Sequence, residues 1–152
     1  MNQRCLAILE LLNREETLDV NDLASQLGVS AVTVRKDLAT LESKGLLRRQ
    51  HGFAVRVSPG DAGYRMTFDY QTKRRIATRA AEMIANGEAV MIESGSTCAM
   101  LAEELVRTKR DVTIITNSAF IAGYVRAIPG ARVVLLGGAY NPAAQVMSGP
   151  YE

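Results

Sequence analysis

Cysteine, histidine and long apolar runs are scarce in this chain of 152 residues, and each shortage excludes a class of protein. The two cysteines, Cys5 and Cys98, lie far apart, so there is neither a disulfide framework nor the ligand spacing of a metal site. No run approaches the ~20 apolar residues that a membrane-spanning helix needs. The first ten residues are interrupted by charge, unlike a signal peptide. We therefore expect a cytoplasmic protein with no metal and no cofactor.

Net charge is also small, because 18 basic and 16 acidic side chains leave +2. A composition with 47% hydrophobic and 22% charged residues is that of a folded protein. The charges are unevenly placed: residues 1–29 carry two basic and five acidic side chains, whereas residues 30–57 carry six basic and two acidic ones. A surface that binds phosphates needs such a basic segment, although a window of this length can reach that charge by chance.

Residues 17–57, preceded by a first helix, have the pattern of a winged helix-turn-helix. Three amphipathic helices are predicted, separated by turns that contain glycine or polar residues: Asn2 to Asn13, Val20 to Leu27 after an Asp19 cap, and Ser30 to about Lys44, with turns at Gly28 and Gly45. An architecture of this kind lays the last of these helices across the major groove of DNA.

The third predicted helix has one apolar stripe and a polar, cationic outer side. At about 100° per residue, Val34, Leu38 and Leu41 fall together and form the buried stripe. The first turns of such a helix can approach base edges and phosphates. The DNA-binding candidates of this helix are Ser30, Ala31, Val32, Thr33, Arg35, Lys36 and Thr40. The competing interpretation is an ordinary solvated helix face, in which Thr33 only supports the helix cap.

Leu46 to Val57 alternates between apolar and polar residues and predicts a β-hairpin wing with its turn at His51-Gly52. Arg48, Arg49 and Arg56 would present charge to the DNA backbone or the minor groove. His51 at the tip could hydrogen-bond a phosphate, although a lone histidine in a loop is more often simply solvated. Arg48, Arg49 and His51 are the DNA-binding candidates of the wing.

The segment 30–52, from Ser30 through Arg35-Lys36-Asp37-Leu38 to His51-Gly52, resembles the signature of the DeoR family of bacterial transcription regulators. Phe53 departs from it, because the family commonly has a second glycine there, so the wing tip is expected to differ in shape. The resemblance implies a sequence-specific DNA-binding regulator, a repressor of a carbohydrate operon.

A second domain is predicted after a linker at residues 58–70, which begins with the Pro/Gly-rich segment Ser58–Gly63. Helices and strands then alternate: helices at Gln71–Asn86, Thr97–Arg107 and Ala119–Ala127, and strands at Ala89–Ile92, Val112–Ile115 and Arg132–Leu136. The first of these helices is expected to bury Ile76, Ala80, Met83 and Ile84. Such alternation predicts a parallel sheet with both faces covered. The fold class is therefore α+β and multidomain: a winged helix-turn-helix at residues 1–57, then an incomplete α/β sheet domain at residues 71–152.

Three loops at the carboxyl ends of the predicted strands are candidate ligand sites, because open α/β sheets bind ligands there. They are Glu93–Thr97, Thr116–Ser118 and Gly137-Gly138. Two of them open helices and offer N–H groups and hydroxyls that suit an anion. Plain helix capping would explain the same residues.

The resemblance extends to Lys73–Ala77, to these three loops and to Leu136. It implies a domain similar to sugar-phosphate isomerases that senses a phosphorylated sugar. Carried over, the residues that line the effector pocket are Ser94, Gly95, Ser96, Thr97 and Asn117, and Gly138 borders it. Glu93 stands where the family usually has Asp. Because family members are longer and three parallel strands leave a sheet edge unpaired, the chain is expected to be a fragment or a truncated product with an incomplete pocket.

Two other functions compete with a regulator that binds an operator as a homo-oligomer. An isomerase-like enzyme with an appended helical module would need an acid/base group beside the phosphate loop, but Glu93 is the only candidate and the second domain has no histidine. A winged helix used for protein contact would show a large apolar patch in place of the cationic face. The expected partners are double-stranded DNA and a phosphorylated sugar, with no membrane.

Overall fold

The computed structural model describes residues 1–149 and separates the chain into two compact units, Met1–Phe68 and a second one from Asp69 onward. Each unit has its own core and is described by itself. The first contains four helices and three strands: α1 Gln3–Arg14, β1 Thr17–Asp19, α2 Val20–Leu27, α3 Ala31–Ser43, β2 Leu47–Gln50, β3 Phe53–Arg56 and α4 Ala62–Thr67.

The helix-turn-helix forms where the capping residues predict it. The Asp19 carboxylate accepts hydrogen bonds from the N–H groups of Asn21 and Asp22 at the start of α2. Gly28 ends that helix at φ 64°, a left-handed conformation in which glycine avoids the steric cost of a Cβ. Ser30 then caps α3. The helices bury one shared apolar core, whose most deeply buried side chains are Ile8, Leu12, Leu23, Val34, Leu38, Leu41, Leu46 and Leu47.

The wing belongs to a three-stranded antiparallel sheet in the order β1-β3-β2. The hairpin turn falls at His51 and Gly52, both with positive φ, as in the turn type that matches the twist of paired strands. Phe53 lies beyond that turn, paired with Gln50 in the first register position of β3, so its bulk falls on a strand. Strand β1 was not predicted, because three residues next to a helix cap are too short to show alternation.

Helix α4 lies within residues 58–70, which the sequence predicted as a linker. Ala62 and Met66 are buried, and the Thr67 hydroxyl donates to Asn13 Oδ1 of α1 at 2.9 Å. Gly63 lies so close to Gly45 that a Cβ built on it would be 2.0 Å from the Gly45 oxygen. The Pro/Gly-rich composition predicted a linker. The residues after Gly60 instead form a helix that packs in the first unit, through contacts with residues distant in sequence.

The second unit contains a parallel sheet in the order β4-β5-β6 and an antiparallel hairpin. Its elements are α5 Tyr70–Glu82, β4 Ala89–Met91, α6 Ser96–Thr108, β5 Thr113–Thr116, α7 Ala119–Val125, β6 Arg132–Leu135, β7 Ala139–Asn141 and β8 Val146–Ser148. The alternation of helices with parallel strands therefore confirms the predicted fold class. The hairpin β7–β8 was not predicted.

Helix α5 differs from its prediction in length and in its buried face. It ends at Glu82, four residues before the expected Asn86. Ala77 and Ala81 are its buried residues, whereas Ile76 is exposed and Met83 is 80% exposed. Small side chains let α5 approach α6 closely, so the alanines, and not the larger apolar residues, form the contact.

The sheet is covered on one face, and the expectation of two covered faces is wrong for residues 1–149. Right-handed crossovers between strands that follow one another in order place α6 and α7 on the same side. On the other side, Met91, Ile115 and Val134 form a lateral row across the three strands. Met91 in that row is 72% exposed.

Across residues 1–149, the helices are too short or too polar to span a lipid bilayer.

Candidate nucleic-acid interface and ligand pocket

The outer face of α3 is formed by Val32, Arg35, Lys36 and Thr40, all of which are exposed. Val32 is 73% exposed, so its methyl groups are accessible at this surface. The Thr40 hydroxyl donates to the Lys36 carbonyl at 3.1 Å. Four of the seven α3 candidates therefore lie together on one accessible surface that carries two cations and one apolar contact group.

The other three candidates lie at the start of α3. Ser30 Oγ accepts from the Thr33 N–H at 3.2 Å, and the two hydroxyl oxygens are 2.9 Å apart. Thr33 and Ala31 are half-buried. Thr33 thus supports the cap of α3, and direct contact of Ser30, Ala31 and Thr33 with DNA stays a prediction.

The inner side of α3 carries a charged residue that the sequence analysis did not single out. Asp37 is 6% exposed, and both of its carboxylate oxygens accept from Arg4 of α1: Oδ2 from Nε, and Oδ1 from Nη2 at 3.2 Å. The sequence did hold a signal, because Asp37 lies about 40° from Leu41 around the helix and therefore at the edge of the buried stripe. A carboxylate in such a stripe requires a cationic partner.

The three arginines of the wing have different surroundings. Arg48 is exposed. Arg49 donates from its backbone N–H to Glu42 Oε1 at 2.9 Å and from Nε to Oε2 at 2.6 Å, which connects the wing to the end of α3. These two hydrogen bonds lower the pKa of Glu42. Arg56 faces inward, pairs with Glu16 and lies 5.3 Å from the centre of the Tyr64 ring, so it supports the fold of the first unit.

Arg48 and Arg49 should therefore respond differently to substitution. We expect Arg48→Ala to reduce the slope of log affinity against log salt by about one, as the loss of one phosphate contact does. The paired change Glu42→Gln with Arg49→Gln removes the ion pair without altering net charge, and we expect it to leave that slope unchanged. Titrations of a duplex at several salt concentrations measure both. If the paired variant lost as much slope as Arg48→Ala, Arg49 would have to leave Glu42 and bind a phosphate. That result would support the sequence-based prediction that Arg49 contacts DNA.

A pocket of about 360 Å³ lies at the carboxyl ends of the three parallel strands. It is lined by Met91, Ile92, Glu93, Thr116, Asn117 and Leu136. Of the six predicted effector residues, only Asn117 lines this pocket. Ser94, Gly95, Ser96 and Thr97 follow Glu93 directly and lead into α6. The pocket therefore combines one carboxylate, one amide and one threonine with apolar walls, next to the start of a helix.

The first turn of α6 begins at Gly95, which has no side chain to accept a hydrogen bond from the N–H groups of that turn. This differs from α7, where Ser118 Oγ accepts from the Ile121 N–H at 3.2 Å. A helix start without a side-chain cap is suited to an anion. Cys98 lies in this turn, but burial raises the pKa of its thiol and the Glu93 carboxylate adds to that increase, so a reactive thiolate is not favoured.

Thr116, Ser118 and Gly138 have structural roles in the second unit. Thr116 Oγ1 accepts from the Ser118 N–H at 3.0 Å, and both side chains are buried. Gly138 was expected to let the backbone approach a ligand, but its close neighbour is the backbone of Ser148: a Cβ there would lie 2.5 Å from the Ser148 oxygen. The hairpin also reaches the pocket loop, because the Met147 N–H donates to the Asn117 carbonyl at 2.8 Å.

Two family models match this chain, one for each unit. The DeoR-like helix-turn-helix domain matches residues 4–59, and the DeoR C terminal sensor domain matches residues 69–152. The boundary between the two matches lies within α4 and the residues beside it, close to the boundary between the structural units.

Curated relatives are similar over most of the chain. The transcriptional repressor AccR of Agrobacterium fabrum is 33% identical over 149 residues, which are 94% of this chain and 57% of that protein. A putative aga operon transcriptional repressor of Escherichia coli O157:H7 is 31% identical over 155 residues, 97% of this chain and 57% of that protein. A lactose phosphotransferase system repressor of Staphylococcus aureus is 35% identical over 129 residues, 76% of this chain and 47% of that protein. The chain thus spans about half the length of these relatives.

Proposed function

Because the chain belongs to the DeoR family of transcription regulators, we propose that it binds a specific double-stranded DNA operator and represses a carbohydrate-metabolism operon. The single observation that carries this proposal is the outer face of α3, where two cations and an exposed valine lie on a capped helix that is packed firmly from behind. The lactose phosphotransferase system repressor among the relatives supports the carbohydrate class.

Two elements of the first unit contact the DNA: helix α3 and the wing. The start of α3 enters the major groove, where Arg35 and Lys36 meet a guanine edge or a phosphate and the methyl groups of Val32 contact thymine. Arg48 and His51 on the wing contact the flanking backbone. One winged helix covers only a half-site, so the protein acts on its operator as a homo-oligomer in the cytoplasm.

The second unit senses a phosphorylated sugar. The phosphate is bound by the N–H groups and hydroxyls at the start of α6, from Ser94 to Thr97, and the sugar lies toward Asn117. Gly138 acts on the pocket indirectly: it packs on Ser148 of the hairpin, and that hairpin donates from the Met147 N–H to the Asn117 carbonyl. The apolar wall of Met91, Ile92 and Leu136 suits the carbon face of a sugar ring.

A regulator fits this pocket better than an enzyme does. An isomerase needs an acid and a base near the sugar carbons, and Glu93 is the one ionisable group among the residues that line the cavity. The histidine of the chain, His51, is at the tip of the wing in the other unit. We therefore assign no catalysis to the chain.

The operator test begins with selection of duplexes from a random library by the full chain, followed by titration of the selected duplex. We expect one enriched sequence and a steep loss of affinity with salt, because Arg and Lys displace counterions from DNA. Failure to enrich any sequence would contradict the proposal.

The sensor test measures thermal unfolding with a panel of sugar phosphates and the matching free sugars. We expect a phosphorylated sugar to raise the melting temperature and its free sugar to leave it unchanged. Asn117→Ala should weaken the binding of the sugar phosphate about tenfold, because it removes a side chain that lines the cavity. Thr78→Ala, an exposed threonine on α5, is the matched control and should bind like the unmodified chain. If the free sugar and its phosphate raised the melting temperature equally, the proposed phosphate site at the start of α6 would be wrong.

A further inference from the structure

The Arg4–Asp37 pair joins the helix that reads DNA to a helix that does not. Asp37 follows Arg35 and Lys36 directly in sequence, but it is buried, whereas both of them are exposed. Arg4 is in the first turn of α1, 33 residues away along the chain. It contacts both carboxylate oxygens, through Nε and Nη2. Two parallel hydrogen bonds between two planar groups fix their relative orientation as well as their distance.

Both ends of this pair are held by packing. Cys5 and Ile8 of α1 are buried beside Arg4 in the sequence, and the Asn2 side chain accepts from the Cys5 N–H at 2.8 Å. On α3, Val34 and Leu38 are close to Asp37 in the sequence and are fully buried. Aliphatic contacts resist separation of two helices but tolerate some rotation, because their attraction is not directional. The ion pair supplies the directional constraint that the apolar contacts lack.

We propose that the Arg4–Asp37 pair sets the rotation of α3 about its own axis, and with it the direction in which Arg35 and Lys36 leave the helix. This inference rests on the proposed DNA-binding function. Lys36 lies about 100° and Arg35 about 160° around the helix from Asp37. A rotation of about 20° moves an atom about 8 Å from the axis by about 3 Å, which is the length of a hydrogen bond. Arg4 and Asp37 are thus positioning residues that do not touch DNA.

The pair should affect the reading of bases more than the binding of phosphates. A bond to a base edge has one productive geometry, whereas a flexible cationic side chain can reach phosphates from many directions. Loss of the constraint should therefore reduce the preference for the operator and leave general DNA affinity in place. A loss of folded protein would instead reduce both kinds of binding together, which separates positioning from stability.

The test uses the full chain and two duplexes: the one that the unmodified chain selects from a random library, and a scrambled duplex of equal length. The main variant combines Arg4→Gln with Asp37→Asn, which removes the pair without leaving a buried charge. We expect at least about tenfold weaker binding to the selected duplex, with binding to the scrambled duplex and its salt slope unchanged. Arg4→Lys keeps the charge but loses the planar fork, so it should lose part of the preference. Arg14→Gln, an exposed arginine on the same helix, is the control and should keep all of it.

Each other outcome overturns the inference. Equal weakening for both duplexes, with circular dichroism showing a folded chain, would mean that the pair acts through something other than orientation. An unchanged preference in the double variant, or in Arg4→Lys if the double variant does not fold, would mean that the apolar contacts alone set the rotation. Failure of the unmodified chain to select any duplex is a different result, because it rejects the DNA-binding function itself.

Discussion

Alanine at both Arg35 and Lys36 is expected to weaken binding to the selected duplex about a hundredfold or more, since each such contact contributes about 1–3 kcal/mol. Both side chains are exposed on the outer face of α3, and neither belongs to the buried stripe. The substitutions should therefore leave the fold of the first unit intact. Thermal unfolding of the variant should match that of the unmodified chain, and the loss should be confined to DNA binding.

Charge alone could mimic part of this effect, so the control must remove two positive charges elsewhere. Arg14→Ala with Arg126→Ala does so at exposed sites in the two units. Titration of the selected duplex at one salt concentration compares the two double variants. We expect the control to lose only a small part of its affinity, through the weaker overall attraction. If the Arg35/Lys36 variant bound like the unmodified chain, α3 would not be the recognition helix.

Among glycine-to-alanine substitutions in the first unit, we expect Gly63→Ala to lower the stability most. The added Cβ would lie 2.0 Å from the Gly45 oxygen and 3.0 Å from its carbonyl carbon, and both are backbone atoms that a rotamer change cannot move. Either α4 or the end of α3 must shift. Overpacking of this kind costs about 1–3 kcal/mol. For a unit of this size, that cost corresponds to a fall in melting temperature on the order of 4–8 °C per kcal/mol.

Gly60→Ala is the matched control for this substitution. Gly60 lies three residues earlier, and nothing is within 4 Å of a Cβ built there. We expect its unfolding temperature to equal or slightly exceed that of the unmodified chain, because alanine restricts the unfolded chain more than glycine does. Calorimetry of the two variants makes the comparison. Equal melting temperatures would show that α4 does not pack on Gly45 in solution.

Local signals in the sequence predicted the helix-turn-helix well. Asp19 and Ser30 cap helices through hydrogen bonds within three residues, and Gly28 turns the chain on its own, so short segments carry the information. Helix α4 could not be found this way. Its stability depends on contacts with Asn13 and Gly45, which are distant from it in sequence, and these contacts accompany the burial of its own Met66.

In the candidate sites, too, features that depend on nearby residues were predicted, and features that depend on contacts distant in sequence were missed. The outer face of α3 follows from helical periodicity, and Asn117 follows from its place after a strand. The Arg4–Asp37 pair joins residues 33 positions apart, and only the position of Asp37 at the edge of an apolar stripe indicated it. The buried face of α5 was assigned wrongly because periodicity shows which residues share a face, but not which face meets a neighbour.

Helix α4 also determines where this protein can be cut and recombined. The first unit ends at Phe68, whose ring lies 4.7 Å from that of Tyr64, and α5 begins two residues later at Tyr70. A chimaera that joins the first unit to a foreign domain keeps the apolar core of that unit covered only if the junction follows Phe68. A junction at Val57, where the wing ends, would remove Met66 and leave a gap in that core.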